Sequence, residues 1–198
     1  MDTETIHEFV SDIGNEADRL NRMSLKLLSL SRIESQPESE CEIIDIAPTA
    51  EQVLRMLSGI AEKHNITILR DISDRCPVLV FEDDLYQIIF NLVENGIKYN
   101  VPGGNLSISL HRVADDAVLK VSDTGVGIPA ESLNNIFERF YRVDKARSRK
   151  SGGSGLGLSI VRTMVERNRG EIAVESTVGK GSTFTVTFPI FDTDEDIQ

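Results

Sequence analysis

Residues 82–100 constrain the fold most, because they predict a helix with one apolar side and one polar side. At about 100° per residue, the two kinds of side chain separate cleanly around the helix axis. The apolar side consists of Leu85, Ile89, Leu92, Val93 and Ile97. The polar side consists of Asp84, Gln87, Asn91, Glu94, Asn95 and Lys98. Most polar sides face solvent, but those favour Glu, Lys and Arg, whereas Asn is a mediocre helix former.

The two asparagines of this helix indicate a metal and phosphate site. Asn91 and Asn95 are one helical turn apart, so their amides share one small volume. Amide oxygens are hard ligands of the kind that magnesium accepts, and the ion takes its other ligands from water and phosphates. Lys98 lies on the same side and can neutralise phosphate oxygens. Glu94 either positions a water molecule or is solvated.

The remaining segments predict an α+β domain. Strands are expected at 42–46, 66–70, 78–81, 106–113, 117–123, 171–176 and 182–189. Further helices are expected from Pro48 to residue 64 and over 156–169, with a helical patch near 132–140. Hairpins combined with separate helices indicate a two-layer α/β sandwich, in which helices cover one face of a mixed sheet.

An acidic residue ends the inward row of the second hairpin strand. Asp123 continues the alternation of Leu119 and Val121, and a carboxylate at a buried position needs a hydrogen-bond donor. The amino group of a purine would serve. Gly125 and Gly127 follow at once and let the backbone pass close to a flat ligand. The alternative is a plain turn with a solvated Asp.

A second glycine-rich run, residues 152–157, opens the 156–169 helix. Free backbone N–H groups at a helix start bind phosphate, and glycines allow close approach. The spacing matches neither the phosphate-loop nor the dinucleotide pattern. Between the two glycine runs, residues 129–151 are rich in Lys and Arg, which suits a lid over phosphates. The alternative is a solvated loop that contacts an acidic partner.

Composition narrows the class of protein. The net charge of -11 argues against nucleic-acid binding. No apolar run reaches the roughly 18–20 residues of a membrane span, and the polar N-terminus is not a signal peptide. The two cysteines lack metal-site spacing. We therefore expect a globular domain without a zinc or redox motif.

The N-terminal segment predicts a long helix that needs a partner. Its heptad seam, apolar except at two Ser positions, alternates by four and three residues: Ile6, Val10, Ile13, Ala17, Leu20, Ser24, Leu27 and Ser31. One helix cannot bury so broad a seam alone. A multi-helix bundle or a dimer is therefore favoured over docking on its own domain.

These pieces, in this order, resemble the catalytic ATP-binding domain of bacterial sensor histidine kinases over residues 43–190. Four motifs carry the resemblance. Residues 91–99 (NLVENGIKY) are similar to the family's N box and 123–128 (DTGVGI) to its first glycine box. Residues 137–142 (FERFYR) are similar to the F box and 153–158 (GSGLGL) to the second glycine box.

The resemblance implies the Bergerat-type ATP fold of the gyrase, chaperone, histidine-kinase and MutL superfamily, with ATP and Mg²⁺ as cofactors. Asn91 and Asn95 would hold magnesium and phosphates. Asp123 would accept the adenine amino group, with Ser182 as a secondary contact. The residues implied in catalysis are Asn91, Glu94, Lys98 and Arg142.

Other positions are implied to line the nucleotide. Lys98 and Arg142 would contact phosphates, and Tyr99 and Ile128 would line the base pocket with Gly125 and Gly127 beside them. The positions implied at the far hinge of the lid and the phosphate-facing helix start are Gly153, Gly155, Leu156 and Gly157.

The same resemblance suggests a domain plan. Residues 1–36 are similar to the second helix of a dimerisation and phosphoacceptor bundle, 37–42 form a linker, 43–191 the catalytic domain and 192–198 an acidic tail. The family's acceptor-His box is not found around His7, His64 or His111. We therefore expect the acceptor helix to be missing and no autophosphorylation by this chain alone. A homodimer through the N-terminal helix is the expected assembly.

The implied function is transfer of the ATP γ-phosphoryl group to a His of the dimerisation domain, for relay to an Asp in a response-regulator receiver domain. The chain would be the cytoplasmic portion of a protein that in full length lies in the cell membrane. Two alternatives stay open. One is another ATPase, chaperone or serine kinase of the superfamily; the other is a non-catalytic nucleotide-binding interaction module.

Overall fold

The computed structural model describes residues 41–72, 75–143 and 154–191. The predicted N-terminal helix, most of the linker, Gly153 and the acidic tail lie outside these ranges. In chain order the elements are β1 (Glu42–Asp45), α1 (Ile46–Lys63), β2 (Thr67–Ile72), β3 (Pro77–Val80), α2 (Glu82–Lys98), β4 (Asn105–Val113), β5 (Asp116–Asp123), a 3₁₀ helix (Ala130–Ser132), α3 (Gly157–Arg167), β6 (Glu171–Thr177) and β7 (Gly181–Pro189).

The main sheet has five strands in the order β2-β4-β5-β7-β6. β2 and β4 are parallel, and the other neighbours are antiparallel. β1 and β3 form a separate antiparallel pair, which an isolated bridge between Val78 and Ile190 joins to the end of β7. The prediction of a mixed sheet in an α+β sandwich is confirmed.

One face of the sheet carries the core, because alternate residues of its strands point to the helices. On β4 and β5 the fully buried members of these rows are Leu106, Ile108, Leu110, Ala117 and Leu119. α2 lies in the middle of the helical layer, with α1 and α3 packed against its two sides. Its predicted apolar residues are all buried. This burial holds the asparagine helix directly against the sheet.

The boundaries of α1 show how single side chains set helix ends. α1 begins at Ile46, two residues before Pro48, because Asp45 caps it: Asp45 Oδ1 accepts the N–H groups of Ala47 at 3.3 Å and of Cys76 at 3.0 Å. Past its last turn, Asn65 has φ of 56°, a left-handed conformation that Asn tolerates.

The prediction of a helical patch near residues 132–140 is wrong, because no continuous helix forms there. The chain makes the 3₁₀ helix at Ala130–Ser132 and then a series of turns. Phe140 has φ of 65°, which no helix allows, and its N–H donates to Gly155 O at 2.9 Å. The contact with the second glycine run therefore overrides the local helical preference.

A buried polar cluster joins the start of α2 to the end of α3. Asn168 Oδ1 accepts the Phe81 N–H at 2.9 Å, and Asn168 Nδ2 donates to Asp84 Oδ2 at 2.9 Å. The guanidinium of Arg167 stacks on the Phe81 ring at 3.8 Å and lies 3.8 Å from Asp84 Oδ2. Burial raises the pKa of Asp84, although Asn168 and Arg167 oppose this shift. Asp84 was predicted to lie on the polar side of α2, but it is buried there and forms a hydrogen bond with the end of α3.

We predict that Asn168→Ala lowers the free energy of unfolding by about 1–3 kcal/mol, because it leaves the buried Asp84 carboxylate and the Phe81 N–H without their partner. Urea unfolding measures the change. The control is Glu166→Ala, which removes an exposed ion pair with Arg162 one turn away. It should cost less than about 1 kcal/mol. Equal costs would contradict an anchoring role for Asn168.

Candidate nucleotide-binding site

The asparagine side of α2 lies under the start of α3. A Cβ atom added to Gly157 would stand 3.4 Å from Asn91 Oδ1 and 3.9 Å from Asn95 Nδ2. Asn91 is 2% exposed, and its Nδ2 donates to Gln87 O at 2.8 Å. Its oxygen therefore faces Gly157. Glu94, Asn95 and Lys98 are half-buried on the same helix.

The first turn of α3 presents backbone donors to this amide pair. The residue before it, Leu156, makes no side-chain capping hydrogen bond. The first N–H groups of an α-helix have no partner within the helix and bind anions. Leu156 itself is fully buried and its N–H donates to Ser154 Oγ at 3.3 Å, so the donors at this helix start are those of the residues that follow it. Gly157 keeps the space between these donors and the asparagines open.

Asp123 ends β5 with its carboxylate held by two backbone groups. Its Oδ1 accepts the Gly125 N–H at 2.8 Å, and the Ser182 N–H also donates to the carboxylate. Burial raises the pKa of Asp123 above its ordinary value, while the two donors act in the opposite direction. The site thus orients one half-buried carboxylate.

Asp123 lies against α2 at the residue that follows Asn95. A Cβ atom added to Gly96, the residue after Asn95, would stand 3.8 Å from the Asp123 Cβ and would overlap the Leu106 side chain. Helix and strand can approach this closely only because residue 96 has no side chain. The sequence interpretation requires Asp123 to lie near the asparagines, and the structure places it beside the residue that follows Asn95.

The first glycine run fills the gap between α2 and the β6–β7 turn. The Val126 N–H donates to Tyr99 O at 3.1 Å, and Val126 O accepts the Gly179 N–H at 2.9 Å. A side chain on Gly125 would meet the Tyr99 carbonyl, and one on Gly127, whose φ is 70°, would meet Thr177. These glycines are needed for the close packing of backbone on backbone.

Two basic side chains, Lys98 and Arg142, lie near Tyr99 at the C-terminal end of α2. Lys98 Nζ is 5.4 Å from the centroid of the Tyr99 ring. Burial raises the pKa of Tyr99, the positive charge of Arg142 lowers it, and Glu94 raises it further. The Arg142 Nε and Nη2 atoms are buried without a hydrogen-bond partner. Buried donors of this kind are rare in proteins and indicate the position of an acceptor such as a phosphate.

The F-box segment is fixed against the second glycine run. Gly155 has φ of 72° and lies so close to Phe140 that an added Cβ would stand 2.9 Å from the Phe140 carbonyl carbon. The Tyr141 hydroxyl also contacts Ser132 Oγ at 3.0 Å. These contacts position Arg142, which follows directly. Gly153, the remaining predicted glycine, is outside the described residues.

Ser176 contacts two predicted site residues, Ile128 and Ser182, but was not itself predicted from the sequence. Its Oγ accepts the Ile128 N–H at 2.8 Å, and it lies 2.9 Å from Gly181 O and 3.0 Å from Ser182 Oγ. Ser182, predicted as a base contact, is buried beside it. The sequence could have indicated Ser176, because it is a polar residue at the end of the inward row of Ile172 and Val174. The same pattern marked Asp123.

Fold and site together have the features of a nucleotide-binding ATPase domain: an oriented carboxylate, a pair of asparagines beside a helix N-terminus, and a buried arginine without a hydrogen-bond partner. Residues 81–191 match the sequence model of the histidine kinase-, DNA gyrase B- and HSP90-like ATPases, and the chain belongs to this family. This confirms the superfamily that the four motifs indicated.

The relatives found by sequence are sensor histidine kinases. Sensor histidine kinase RppB of Synechocystis sp. is 37% identical over 192 residues, which are 94% of this chain and 41% of the relative. WalK of Bacillus subtilis is 36% identical over 192 residues, which are 95% of this chain and 31% of the relative. The chain thus spans about two fifths or less of these relatives.

Solved structures agree with the fold. Full-length ShkA in complex with AMPPNP is 25% identical, with a TM-score of 0.76 over 93% of this chain and 38% of that chain. The mycobacterial sensor histidine kinase MprB has a TM-score of 0.67 at 24% identity and supports the fold alone. None of the helices in the described part of this chain has the length and apolarity of a membrane span.

We predict opposite effects for one substitution at two helical glycines. Gly59→Ala in α1 adds a methyl group where nothing lies within 4 Å, so it should stabilise the chain by about 0.5–1 kcal/mol. Gly96→Ala must displace Leu106 and should cost about 1–3 kcal/mol despite the same gain in helix propensity. Urea unfolding of both variants measures this. A stabilising Gly96→Ala would contradict the close approach of α2 to the sheet.

Proposed function

We propose that this chain is the ATP-binding catalytic portion of a sensor histidine kinase, which transfers the ATP γ-phosphoryl group to a His of a dimerisation domain. The observation that carries the proposal is that one helix, α2, has Asp123 against it at Gly96 and the start of α3 against Asn91 and Asn95, with the buried, unpartnered Arg142 donors near its C-terminal end. The sequence relatives bear the name of sensor histidine kinases, and the ShkA structure is titled as a complex with AMPPNP.

The base end of the proposed site is built on Asp123. Its carboxylate is oriented by two N–H donors and can accept a further hydrogen bond from the adenine amino group. Tyr99 and Ile128 would line the base, and the close packing of Gly125 and Gly127 leaves the pocket wall made of backbone. Ser182, next to Asp123, would be the second polar contact.

The phosphate end combines three kinds of donor. These are the N–H groups of the first turn of α3 with Gly155 and Gly157, the Arg142 guanidinium, and Lys98. Two features fit an anionic ligand: the orphaned Arg142 donors, and the cradle that a side chain at Gly157 would fill. The donors would position the phosphates for in-line transfer and neutralise their charge.

The residues also fit magnesium bound jointly with phosphates. No group of three or more His, Cys, Asp or Glu side chains that could hold a metal occurs in residues 41–72, 75–143 and 154–191. The Asn91 oxygen faces Gly157, and the Asn95 amide lies beside it. These amides would supply the protein's ligands, and the bound ion would balance phosphate charge. Glu94 would orient water at this end.

The wider assembly is part of the proposal. Residues 1–36 would be the second helix of the dimerisation bundle and would support a homodimer, with 37–42 as linker, 43–191 as catalytic domain and 192–198 as tail. The phosphohistidine would pass its phosphoryl group to a response-regulator receiver domain; a kinase of similar fold, ThkA, has been solved in complex with the response regulator TrrA. The full-length protein would lie in the membrane, with this chain on the cytoplasmic side.

The decisive experiment mixes the chain with γ-labelled ATP and a separate dimerisation domain that carries the acceptor His. We expect acid-labile label on that domain. Asp123→Asn should weaken ATP binding by about 10- to 100-fold, since it loses a charged hydrogen bond to the base. Release of free phosphate alone would indicate an ATPase, and acid-stable label a serine kinase. No ATP binding by the unchanged chain would contradict the proposal altogether.

The metal role of α2 makes a separate prediction. Asn95→Ala should weaken ATP binding in the presence of Mg²⁺ by about tenfold, yet change binding in EDTA much less, because the amide acts through the ion. Calorimetric titration under both conditions measures this. The control Gln52→Ala removes an exposed amide on α1, outside the predicted site, and should leave both affinities unchanged. Equal losses for Asn95→Ala with and without Mg²⁺ would count against a metal role.

A further inference from the structure

Three hydrogen-bonding groups converge on the hydroxyl of Ser176 at the end of β6. The Ile128 N–H lies 2.8 Å from Ser176 Oγ, the Gly181 carbonyl oxygen 2.9 Å and the Ser182 hydroxyl 3.0 Å. Ile128 ends the first glycine run, and Gly181 and Ser182 begin β7. Ser176 therefore lies between the two backbone segments that flank Asp123.

The chemistry of these three partners determines the direction of each bond. A hydroxyl has one hydrogen to donate and two lone pairs that accept. The Ile128 N–H can only donate, and the Gly181 carbonyl can only accept. One arrangement satisfies all three contacts together: Ser176 donates to Gly181 O, accepts from Ile128, and accepts the hydrogen of Ser182 with its second lone pair.

The direction of the last bond decides what Ser182 can offer to a ligand. Because the Ser182 hydrogen is used toward Ser176, the Ser182 oxygen has only lone pairs left. The Ser182 N–H donates to Asp123, so the two side chains are neighbours. The polar side-chain groups at this end of the site, the Asp123 carboxylate and the Ser182 oxygen, are then both acceptors.

We propose that Ser176 is a positioning residue that sets base specificity by holding the Ser182 hydroxyl as an acceptor. This rests on the proposed ATP site. An adenine carries an amino group at its 6-position and can donate there, whereas a 6-oxo purine presents a lone pair to lone pairs. When two acceptors face each other, both lose their hydrogen bonds to water and neither gains a new hydrogen bond in return.

A purely structural role for Ser176 makes a different prediction. Ser176 also ties the first glycine run to β7, so its loss could loosen the pocket for every nucleotide alike. A positioning role instead affects nucleotides unequally, because in Ser176→Ala the Ser182 hydrogen is released and can rotate to donate to a 6-oxo group. The ratio of two affinities separates these roles.

The test measures the dissociation constants of ATP and inosine triphosphate, which carries a 6-oxo group, for the whole chain. The unchanged chain should prefer ATP, and Ser176→Ala should reduce that preference by about 3- to 10-fold, the effect of one neutral hydrogen bond. Ser176→Thr keeps the hydroxyl and should retain the preference. In a Ser182→Ala background, Ser176→Ala should no longer change the ratio, since the two residues act as one unit.

The outcomes are distinguishable from failure of the proposed function. If the unchanged chain binds no ATP, both proposals fall. If it binds ATP and Ser176→Ala weakens both nucleotides equally, only the positioning role is overturned. Thermal melting without nucleotide checks that Ser176→Ala folds. If Ser176→Ala does not fold, Ser182→Ala replaces it in the test. Loss of the acceptor oxygen must also lower the preference for ATP, so an unchanged ratio of the two affinities would overturn the inference.

Discussion

The carboxylate of Asp123 lies at the end of an inward-facing row, where a charge is costly unless hydrogen bonds compensate it. Two backbone N–H groups provide that compensation, one from Gly125 and one from Ser182. The glycine run and β7 must therefore stay beside β5 for these two donors to reach the carboxylate. The tight backbone packing of Gly125 on Tyr99 and of Gly127 on Thr177 maintains this arrangement. The orientation of the Asp123 carboxylate thus depends on contacts made mostly by main chain.

α2 serves both the core and the site, which couples stability to binding. Its apolar residues are buried against the sheet and the neighbouring helices, and its asparagines lie on the remaining side under α3. A change that shifts α2 along the sheet moves the asparagines and Asp123 relative to each other. Gly96 is the position at which this coupling is tightest, because the helix backbone there lies against Leu106 and Asp123.

Much of this arrangement was readable from periodicity and turn chemistry. The strands, the asparagine helix and the hairpin that ends at Asp123 each follow from a local pattern, and the mixed sandwich follows from their order. Asp84 shows what periodicity cannot predict. Periodicity gives the angular position of a residue around a helix, but not whether another element of the fold covers that residue. Asn168, 84 residues further along the chain, could not be paired with it from sequence alone. The turns at 132–140 depend likewise on a contact with Gly155.

The cluster of Asn168 with Asp84 and Phe81 lies at the opposite end of α3 from Gly157. The two ends of α3 thus have different neighbours, a buried polar cluster at Asn168 and the asparagines of α2 at Gly157. An 11-residue helix is about 16 Å long, so a tilt of about 5° displaces its first turn by roughly 1.4 Å. A tilt about the Asn168 cluster would therefore change the spacing between Gly157 and the asparagines and leave the start of β6 in place.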